Sequence, residues 1–269
     1  MGCIRMIKML VLDLDETLLR TDKTISSYTQ EILKKSCGAG IRIVFATARP
    51  FRSIKHLMDQ TACSTAVYHN GAAVLLDGES AETSRIPARD TANILQTLQV
   101  KYADKKLAAE INDKIYANFD VITIWGKTQK EREILEASSI WTDFSDLPEA
   151  DADKIIIEID SEKEYEQIQS LLTPDLYGQL SDGKTLCLVM HRNATKLNAI
   201  KRIAKRLGIA RSEIAAFGDD YNDIEMIKYC GTGVAMGNAI EEVKQAADTV
   251  TATNNDDGVA RYIEEHILR

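Results

Sequence analysis

The sequence predicts an α/β fold: a Rossmann-like, doubly wound parallel sheet with an inserted α+β domain. Two observations support this prediction. Apolar strands alternate with amphipathic helices at both ends of the chain, the pattern of a parallel sheet with helices on both faces. The middle of the chain mixes alternating strands with helices, as in an antiparallel sheet covered on one side. We therefore expect a core of residues 1–81 and 188–269 and an inserted domain of residues 82–187.

The first part of the core opens on an apolar run, IKMLVLD at 7–13, which is typical of a parallel strand buried on both faces. Glycines and a proline then mark where helices end and begin. The elements predicted here are a strand at 7–13, a helix within 25–40 capped by Ser27, a strand at 41–46, a helix at about 50–60, and a strand region at 66–76 broken by a turn at Asn70-Gly71.

The last part repeats the alternation, and the middle departs from it. The elements predicted for the last part are a helix at 195–207, a strand in 213–220, a short helix in 221–230, a strand and turn in 231–239, and a helix in 240–248. Those predicted for the middle are a helix at 91–107, a strand region at 109–119 with a turn at Asn112-Asp113, a strand at 154–159, a helix at 161–172 and a strand at 185–192.

The charge and composition exclude several kinds of partner. The formal net charge is −8, so the surface repels nucleic acid and anionic membranes, and we expect neither as a partner. No stretch approaches the roughly 20 apolar residues that cross a bilayer, and no signal peptide is evident. The five cysteines are scattered without a C-x-x-C pair. Reduced thiols in the cytoplasm are therefore expected.

Acidic residues follow two of the predicted parallel strands. Asp13 and Asp15 come after the first strand, and Asp219 and Asp220 come after a strand about two hundred residues later. In an open parallel sheet, ligands bind beyond the carboxyl ends of the strands, so both pairs are expected to meet there. Clustered carboxylates repel unless a cation lies between them. Mg²⁺ suits carboxylates and phosphate oxygens best, and the four histidines show no zinc-ligand spacing.

These residues belong to an ordered set of motifs that resembles the haloacid dehalogenase superfamily of phosphohydrolases. The set comprises DLDET at 13–17, Thr47 in FATAR, Lys196 in NATKLNAI, and GDDYND at 218–223. Two later stretches, GVAMGNA at 233–239 and NNDDGVA at 254–260, are similar to the closing signatures of the Cof-like branch. The predicted insertion falls between the second and third motifs, where that branch carries a type II α/β cap.

The resemblance implies a role for each matched residue. Asp13 is the expected nucleophile, which becomes an aspartyl phosphate, and Asp15 is the expected acid and base. Mg²⁺ is expected on Asp13, the backbone carbonyl of Asp15, and Asp219. The residues expected to hold phosphate oxygens are Thr47, Lys196, Asn222 and the backbone amides near Leu14 and Ala48, with Asp220 and Asp223 behind them or on the metal. If the first strand continued through Asp15, its period of two would turn both carboxylates to one side.

Three positions depart from the usual motifs and leave the substrate open. Ala48 replaces a glycine after Thr47, Leu197 replaces a frequent glycine after Lys196, and Tyr221 follows Asp220 in place of a smaller residue. The expected enzyme is a Mg²⁺-dependent phosphatase of small phosphorylated metabolites, with sugar phosphates first. A phosphomutase and a catalytically silent ligand-sensing protein are the alternatives. The sequence leaves the oligomeric state open.

Overall fold

A computed structural model describes residues 6–81 and 83–268 of the chain. The chain divides into two compact units. The first comprises Met1–Arg49, Ile54–Thr83 and Thr195–Arg269, and the second comprises Pro50–Ser53 and Ser84–Ala194. Within the described residues, no helix combines the length and the apolar character needed to cross a membrane.

The strands and helices follow one another along the chain in three blocks. The first block contains β1 (Met9–Leu12), α1 (Ser27–Gly38), β2 (Arg42–Ala46), α2 (Phe51–Thr61), β3 (Thr65–Tyr68), β4 (Ala73–Leu76) and β5 (Glu79–Ser80). The middle block contains α3 (Ala88–Lys101), β6 (Leu107–Ile111), β7 (Lys114–Ala117), α4 (Val121–Trp125), α5 (Gln129–Ser138), β8 (Ser139–Trp141), β9 (Ala152–Glu158), α6 (Glu162–Gln169), β10 (Leu176–Ser181) and β11 (Leu186–His191). The last block contains α7 (Lys196–Leu207), β12 (Ile214–Gly218), α8 (Ile224–Tyr229), β13 (Thr232–Ala235), α9 (Glu241–Ala246), β14 (Thr249–Val250) and α10 (Gly258–His266).

The first unit is built on an eight-stranded sheet with the order β14-β13-β12-β1-β2-β3-β4-β5. Every pair from β14 to β3 is parallel, and β4 and β5 add antiparallel pairs at one edge. All four residues of β1 are buried, as expected for a strand between two layers of helices. Since β12, β1, β2 and β3 are neighbours, the residues that follow these strands converge at one edge. The predicted Rossmann-like α/β core is confirmed.

The second unit is built on a six-stranded sheet with the order β10-β11-β9-β6-β7-β8. Side chains of α3 and α6, such as Leu95 and Ile168, pack with one face of this sheet, where Ile155 and Val189 lie. A smaller cluster on other residues of the sheet joins Ala108 to α4 and α5. The predicted Asn112-Asp113 turn links β6 to β7, and both residues have the positive φ that such a turn requires.

Several predicted boundaries are wrong, each for a local reason. The first strand ends at Leu12, because the chain then enters a wide turn over Leu14–Leu18 in which Glu16 has a φ of 56°. A strand period therefore does not set the directions of Asp13 and Asp15. The cap of α1 is Ser26 and not Ser27, since the Ser26 side chain accepts the N–H of Thr29.

Two longer segments also differ from expectation. Helix α3 ends at Lys101, because residues 107–111 form the fully buried strand β6 instead of a last helical turn. The predicted boundary between residues 187 and 188 falls inside β11, whose pairing with β9 and β10 keeps it in the second unit up to Ala194.

Candidate active site

The ends of neighbouring strands hold the predicted polar residues in place through backbone hydrogen bonds. The N–H of Asp13 donates to the carbonyl of Phe217 at 3.1 Å, which extends the pairing of β1 and β12 by one residue. The N–H of Thr47 donates to the carbonyl of Val67 at 2.9 Å and does the same for β2 and β3. The sheet thus fixes the backbone on which the acids and Thr47 stand.

A buried ammonium group joins the two halves of the candidate site. Lys196 Nζ lies 2.6 Å from Asp13 Oδ1 and 2.7 Å from Asp223 Oδ1. The Lys196 side chain is 1% exposed, and those of Asp13 and Asp223 are 8% and 0% exposed. Helix α7 begins at Lys196 and is capped by Thr195, which accepts the N–H of Asn198. The predicted position of Lys196 in the first helical turn is therefore confirmed.

The loop after β12 is shaped around Asp223. Its Oδ2 accepts the backbone N–H groups of Asp219 at 3.0 Å and of Asp220 at 3.2 Å. A Cβ on Gly218 would lie about 2.5 Å from the Asp223 side chain, so only glycine permits this approach. On the other side, Thr17 Oγ1 donates to Asp219 Oδ1 at 2.7 Å. These contacts hold the Asp219 side chain near Asp13. They also fill both carboxylate oxygens of Asp223 with hydrogen-bond donors.

The donor set fits a divalent, oxygen-liking cation. One carboxylate oxygen from each of Asp13, Asp219 and Asp223 lies within 4.8 Å of the others. Lys196 contacts two of the three carboxylates, and with all three ionised its single positive charge leaves an excess of two negative charges, the charge that one divalent ion neutralises. Among the described residues, no hydrogen bond reaches Asp13 Oδ2 or Asp219 Oδ2, whereas both oxygens of Asp223 accept one. The carboxylates of Asp15 and Asp220 lie outside this group.

The pKa values of the groups in this cluster reflect the excess of negative charge. Burial raises the pKa of Asp13 well above its usual range, and the charges of Asp223 and Asp219 add to the effect, although Lys196 opposes it. Burial also raises the pKa of Asp219 to about 6, with repulsion from Asp223 and Asp220 and against the hydrogen bond from Thr17. For Lys196, the two carboxylates outweigh burial and raise the pKa of the ammonium. A cation near Asp13 and Asp219 would favour their ionised forms.

Asp15 lies apart from the buried cluster and is bound by two cations. Arg49 Nε donates to Asp15 Oδ2 at 2.7 Å, and Arg49 Nη2 donates to Oδ1 at 2.6 Å. Lys23 Nζ lies 3.1 Å from the same Oδ1. Burial alone would raise the pKa of Asp15, but the hydrogen bonds and charges of Arg49 and Lys23 outweigh it and lower that pKa. The sequence interpretation missed both cations, although Arg49 stands only two residues after Thr47 in the second motif.

The residues predicted to hold phosphate lie around the ends of β1, β2 and β12. Thr47 Oγ1 accepts the N–H of Arg49 at 3.1 Å, so its hydroxyl proton can be directed elsewhere. Asn222 Nδ2 donates to Asn70 Oδ1 at 3.0 Å and is thereby brought to the end of β3. Leu14 is buried and Ala48 is exposed. The phosphate-binding roles of these residues stay predictions.

The C-terminal motif NNDDG, residues 254–258, fastens the loop that follows Asp13. Asn254 Nδ2 donates to Glu16 Oε2 and to the carbonyl of Leu19, both at 3.0 Å. Asp257 accepts two hydrogen bonds from the guanidinium of Arg20, at 3.4 and 2.7 Å. Asn238 Nδ2 donates to the carbonyl of Glu16 at 2.7 Å. The two closing signatures of the sequence therefore hold the loop that carries Asp15.

Comparison with known proteins agrees with this arrangement. The family described as haloacid dehalogenase-like hydrolase matches residues 10–263. A 5-amino-6-(5-phospho-D-ribitylamino)uracil phosphatase of Bacillus subtilis is 30% identical, over 96% of this chain and 97% of the relative. A haloacid dehalogenase-like hydrolase from Bacteroides thetaiotaomicron superposes with a TM-score of 0.82 at 28% identity, covering 96% of this chain and 99% of that one. A structure described as a sugar phosphatase of subclass IIB superposes with a TM-score of 0.78 at 25% identity, covering 97% and 100%.

The chain belongs to the haloacid dehalogenase-like hydrolase family, and its strand-end acids and its sheet order agree with this assignment. Within that family it is a phosphatase of the Cof-like branch, a phosphoric monoester hydrolase. The predicted family and enzyme class are therefore confirmed.

Proposed function

We propose that the protein is a Mg²⁺-dependent phosphatase that hydrolyses small phosphorylated metabolites, with sugar phosphates as its main substrates, through a phosphorylated Asp13. The observation that carries this proposal is the group of three carboxylates, Asp13, Asp219 and Asp223, two of which are buried against the ammonium of Lys196. Such a group binds a divalent cation and a phosphate dianion together, because each neutralises part of the other's field.

The first step transfers the phosphoryl group to the protein. A carboxylate oxygen of Asp13 attacks phosphorus, and the bond between phosphorus and the leaving-group oxygen breaks. Asp15 is the proposed proton donor to that oxygen, so that the alcohol leaves neutral; because Arg49 and Lys23 lower its pKa in the free protein, this role requires Asp15 to take up a proton in the substrate complex. The ammonium of Lys196, 2.6 Å from Asp13 Oδ1, holds the nucleophile and stabilises the charge on the phosphoryl oxygens.

The second step releases phosphate. A water oxygen attacks the phosphorus of the acyl phosphate while its proton passes to the carboxylate of Asp15. The bond between phosphorus and Asp13 breaks, and the free carboxylate and inorganic phosphate result. Mg²⁺ held by Asp13, Asp219 and the backbone carbonyl of Asp15 would screen the repulsion between nucleophile and phosphate. Asp223 supports this arrangement through Lys196 and the Asp219 amide.

The preference for sugar phosphates is supported by two relatives. One related structure is a sugar phosphatase, and one related enzyme acts on a phosphorylated ribitylamino compound, which also carries its phosphate on a polyol chain. The acidic surface favours small substrates over nucleic acid. A cytoplasmic location stays a prediction, which the free thiols of Cys37, Cys63, Cys187 and Cys230 support.

The test is a screen of phosphorylated metabolites on the purified protein, read as inorganic phosphate released. We expect activity with Mg²⁺, its loss on exhaustive chelation, and its return with Mg²⁺ but not with Ca²⁺, which prefers longer bonds and more ligands. Full activity after chelation would contradict the metal assignment. A screen without any phosphate release in Mg²⁺ would favour the ligand-sensing alternative, and conversion of one phosphate ester into its isomer without release would favour a phosphomutase.

We further propose that the second unit selects the leaving group, since none of the clustered acids belongs to it. The sheet face that carries Leu188 also carries Gln179, its cross-strand neighbour. Gln179→Ala is expected to change the ranking of kcat/KM values among phosphomonoesters, whereas Lys163→Ala, an exposed change on α6, is expected to leave it unchanged. An unchanged ranking in several variants of this face would contradict the proposal.

A further inference from the structure

The turn between β3 and β4, residues 69–71, contacts three of the four sequence motifs of the candidate site. Its backbone makes the contacts with the second motif. The N–H of His69 donates to the carbonyl of Arg49 at 3.0 Å, and the N–H of Asn70 donates to the carbonyl of Thr47 at 2.9 Å. The turn therefore continues the pairing of β2 and β3 beyond their ends and has a fixed position beside Thr47.

The third motif approaches the same turn closely. A Cβ on Gly71 would lie 2.3 Å from the carbonyl oxygen of Thr195, the residue that caps the helix beginning at Lys196. Gly71 also has a φ of 105°, so this position requires glycine both for space and for its backbone conformation. The turn thus packs between the second and the third motifs.

The side chain of Asn70 contacts the fourth motif. Asn222 Nδ2 donates to Asn70 Oδ1 at 3.0 Å. Among the residues that the structure describes, the Asn222 side chain makes no other hydrogen bond. Asn222 is exposed, so packing does little to fix the plane of its amide, and the contact with Asn70 must do so. An amide nitrogen carries two hydrogens, and the second stays available for a ligand.

The backbone conformation of the turn supports a functional purpose for this contact. His69 and Asn70 have φ values of 49° and 56°, a region that residues with a side chain seldom occupy. Such positions are concentrated at functional sites, where the surrounding structure holds a backbone that is otherwise disfavoured. Here the hydrogen bond to Thr47 and the packing of Gly71 hold the turn, and the turn brings Asn70 to Asn222.

We propose that Asn70 is a positioning residue, which orients the Asn222 amide so that its second N–H donates to a phosphate oxygen of the substrate. This inference rests on the proposed function and on the predicted phosphate-binding role of Asn222. Asparagine suits position 70 for two reasons. It tolerates a positive φ better than most residues, and its neutral acceptor adds no negative charge beside a phosphate dianion, as an aspartate would.

The experiment is a double-mutant cycle on Asn70→Gly and Asn222→Ala, read as the Kd of inorganic phosphate by calorimetry with Mg²⁺ and as kcat/KM for p-nitrophenyl phosphate. Glycine at position 70 permits the positive φ and removes only the side chain. We expect Asn222→Ala to weaken phosphate binding about ten- to a hundredfold and Asn70→Gly about three- to tenfold, with matching losses in kcat/KM. In the double variant, Asn70→Gly should add less than about twofold to the effect of Asn222→Ala, because no amide is left to orient.

Asp77→Gly is the matched control. Asp77 also has a positive φ, 54°, and its carboxylate accepts a hydrogen bond from Arg42 at the other end of β2. This change should alter neither the phosphate Kd nor kcat/KM. Asn70→Ala serves where Asn70→Gly does not fold, since Ala62 shows that an alanine of this chain can hold a φ of 53°. Circular dichroism and Tm values near those of the unmodified protein establish that each variant is folded.

The outcomes separate this inference from the proposed function. If the effects of Asn70→Gly and Asn222→Ala on phosphate binding multiplied in the double variant, Asn70 would not act through Asn222 and the positioning role would be wrong, while Mg²⁺-dependent phosphate release left the proposed function intact. An unchanged phosphate Kd in Asn222→Ala would also overturn the inference. If the unmodified protein released no phosphate from any ester, the proposed function would fail, and the phosphate Kd, which needs no turnover, would still decide the role of Asn70.

Discussion

Lys196 Nζ bridges Asp13 and Asp223, which lie 210 positions apart in the sequence, at 2.6 and 2.7 Å. All three side chains are buried, so this contact is among the least screened charge interactions in the first unit. One ammonium cannot neutralise Asp13, Asp219 and Asp223 together, and the remaining charge attracts the cation on which the proposed chemistry depends.

Asp13→Asn should reduce phosphate release by more than about a thousandfold, because the amide cannot attack phosphorus. The free energy of unfolding of the metal-free protein should not fall, since the change removes one of several mutually repelling carboxylates. Phosphate release and urea denaturation check the two parts. Asp59→Asn, an exposed acid paired with Lys55, is the control. A variant that kept more than a few per cent of the rate would show that another residue is the nucleophile.

The metal-free protein should lose stability through Asp219 as the pH rises. The pKa of Asp219 is about 6, raised by burial and by the neighbouring acids, and the unfolded value is near 3.9. The folded state therefore binds a proton more tightly than the unfolded state, and this contribution is present at pH 4 and lost as the pH rises through 6. The free energy of unfolding of the unmodified protein relative to Asp219→Asn should fall over that interval. A flat difference between pH 4 and 7 would contradict the assignment.

Stabilisation by Mg²⁺ should show the opposite trend. Because protons and Mg²⁺ compete for the same carboxylates, the rise in Tm at a fixed Mg²⁺ concentration should increase between pH 5 and 7. Asp219→Asn should remove most of this increase. Equal stabilisation at both pH values would mean that the cation binds away from Asp219.

Gly218→Ala should destabilise the protein by about 1–3 kcal/mol and reduce its activity, since the new methyl group would lie about 2.5 Å from the Asp223 side chain. Gly38→Ala is the matched control. A Cβ there meets nothing within 4 Å, and Gly38 ends a helix, so that change should be neutral or slightly stabilising. Denaturant titration distinguishes the two. Equal stabilities for both variants would show that the loop after β12 adapts freely.

Asn254→Ala should lower the free energy of unfolding by about 1–3 kcal/mol, because it leaves the buried Leu19 carbonyl without its donor. It should also lower kcat, as Glu16 loses a hydrogen bond beside Asp15. The neighbouring Asn255 is exposed and bonded only to Thr21 among the described residues, so Asn255→Ala should cost less than about 0.5 kcal/mol. Similar effects of the two substitutions on stability and kcat would be the contrary result.

The strand-end acids could be predicted from the sequence because two simple facts determine them. Buried apolar runs mark β1 and β12, and neighbouring parallel strands end at the same edge of a sheet. The contacts of Asp15 could not be predicted in this way. They depend on a turn in which Glu16 adopts a positive φ, and on the path that brings Arg49 and Lys23 to the same carboxylate.

Several helices and strands that the sequence interpretation did not predict are very short or contain a glycine. Helix α4 has five residues and β8 has three, too few to show a period. Strand β10 contains Gly178, where a Cβ would meet Cys187, so a residue that usually counts against a strand is required by close packing. Helix α10 begins at Gly258, inside the stretch at 254–260 that the sequence interpretation assigned to a family signature, and no helix was predicted there.

The hydrogen bonds between residues 254–258 and the loop that follows Asp13 have a consequence for the synthesis of the enzyme. During synthesis, β1 leaves the ribosome about two hundred residues before its neighbour β12, and the partners of Glu16 and Arg20 follow later still. A nascent chain that stops before residue 254 contains every acid of the site and yet lacks the clasp on the loop that presents Asp15. We therefore expect phosphatase activity to require residues 254–258, and a chain cut before this motif to lose activity although it keeps every catalytic acid.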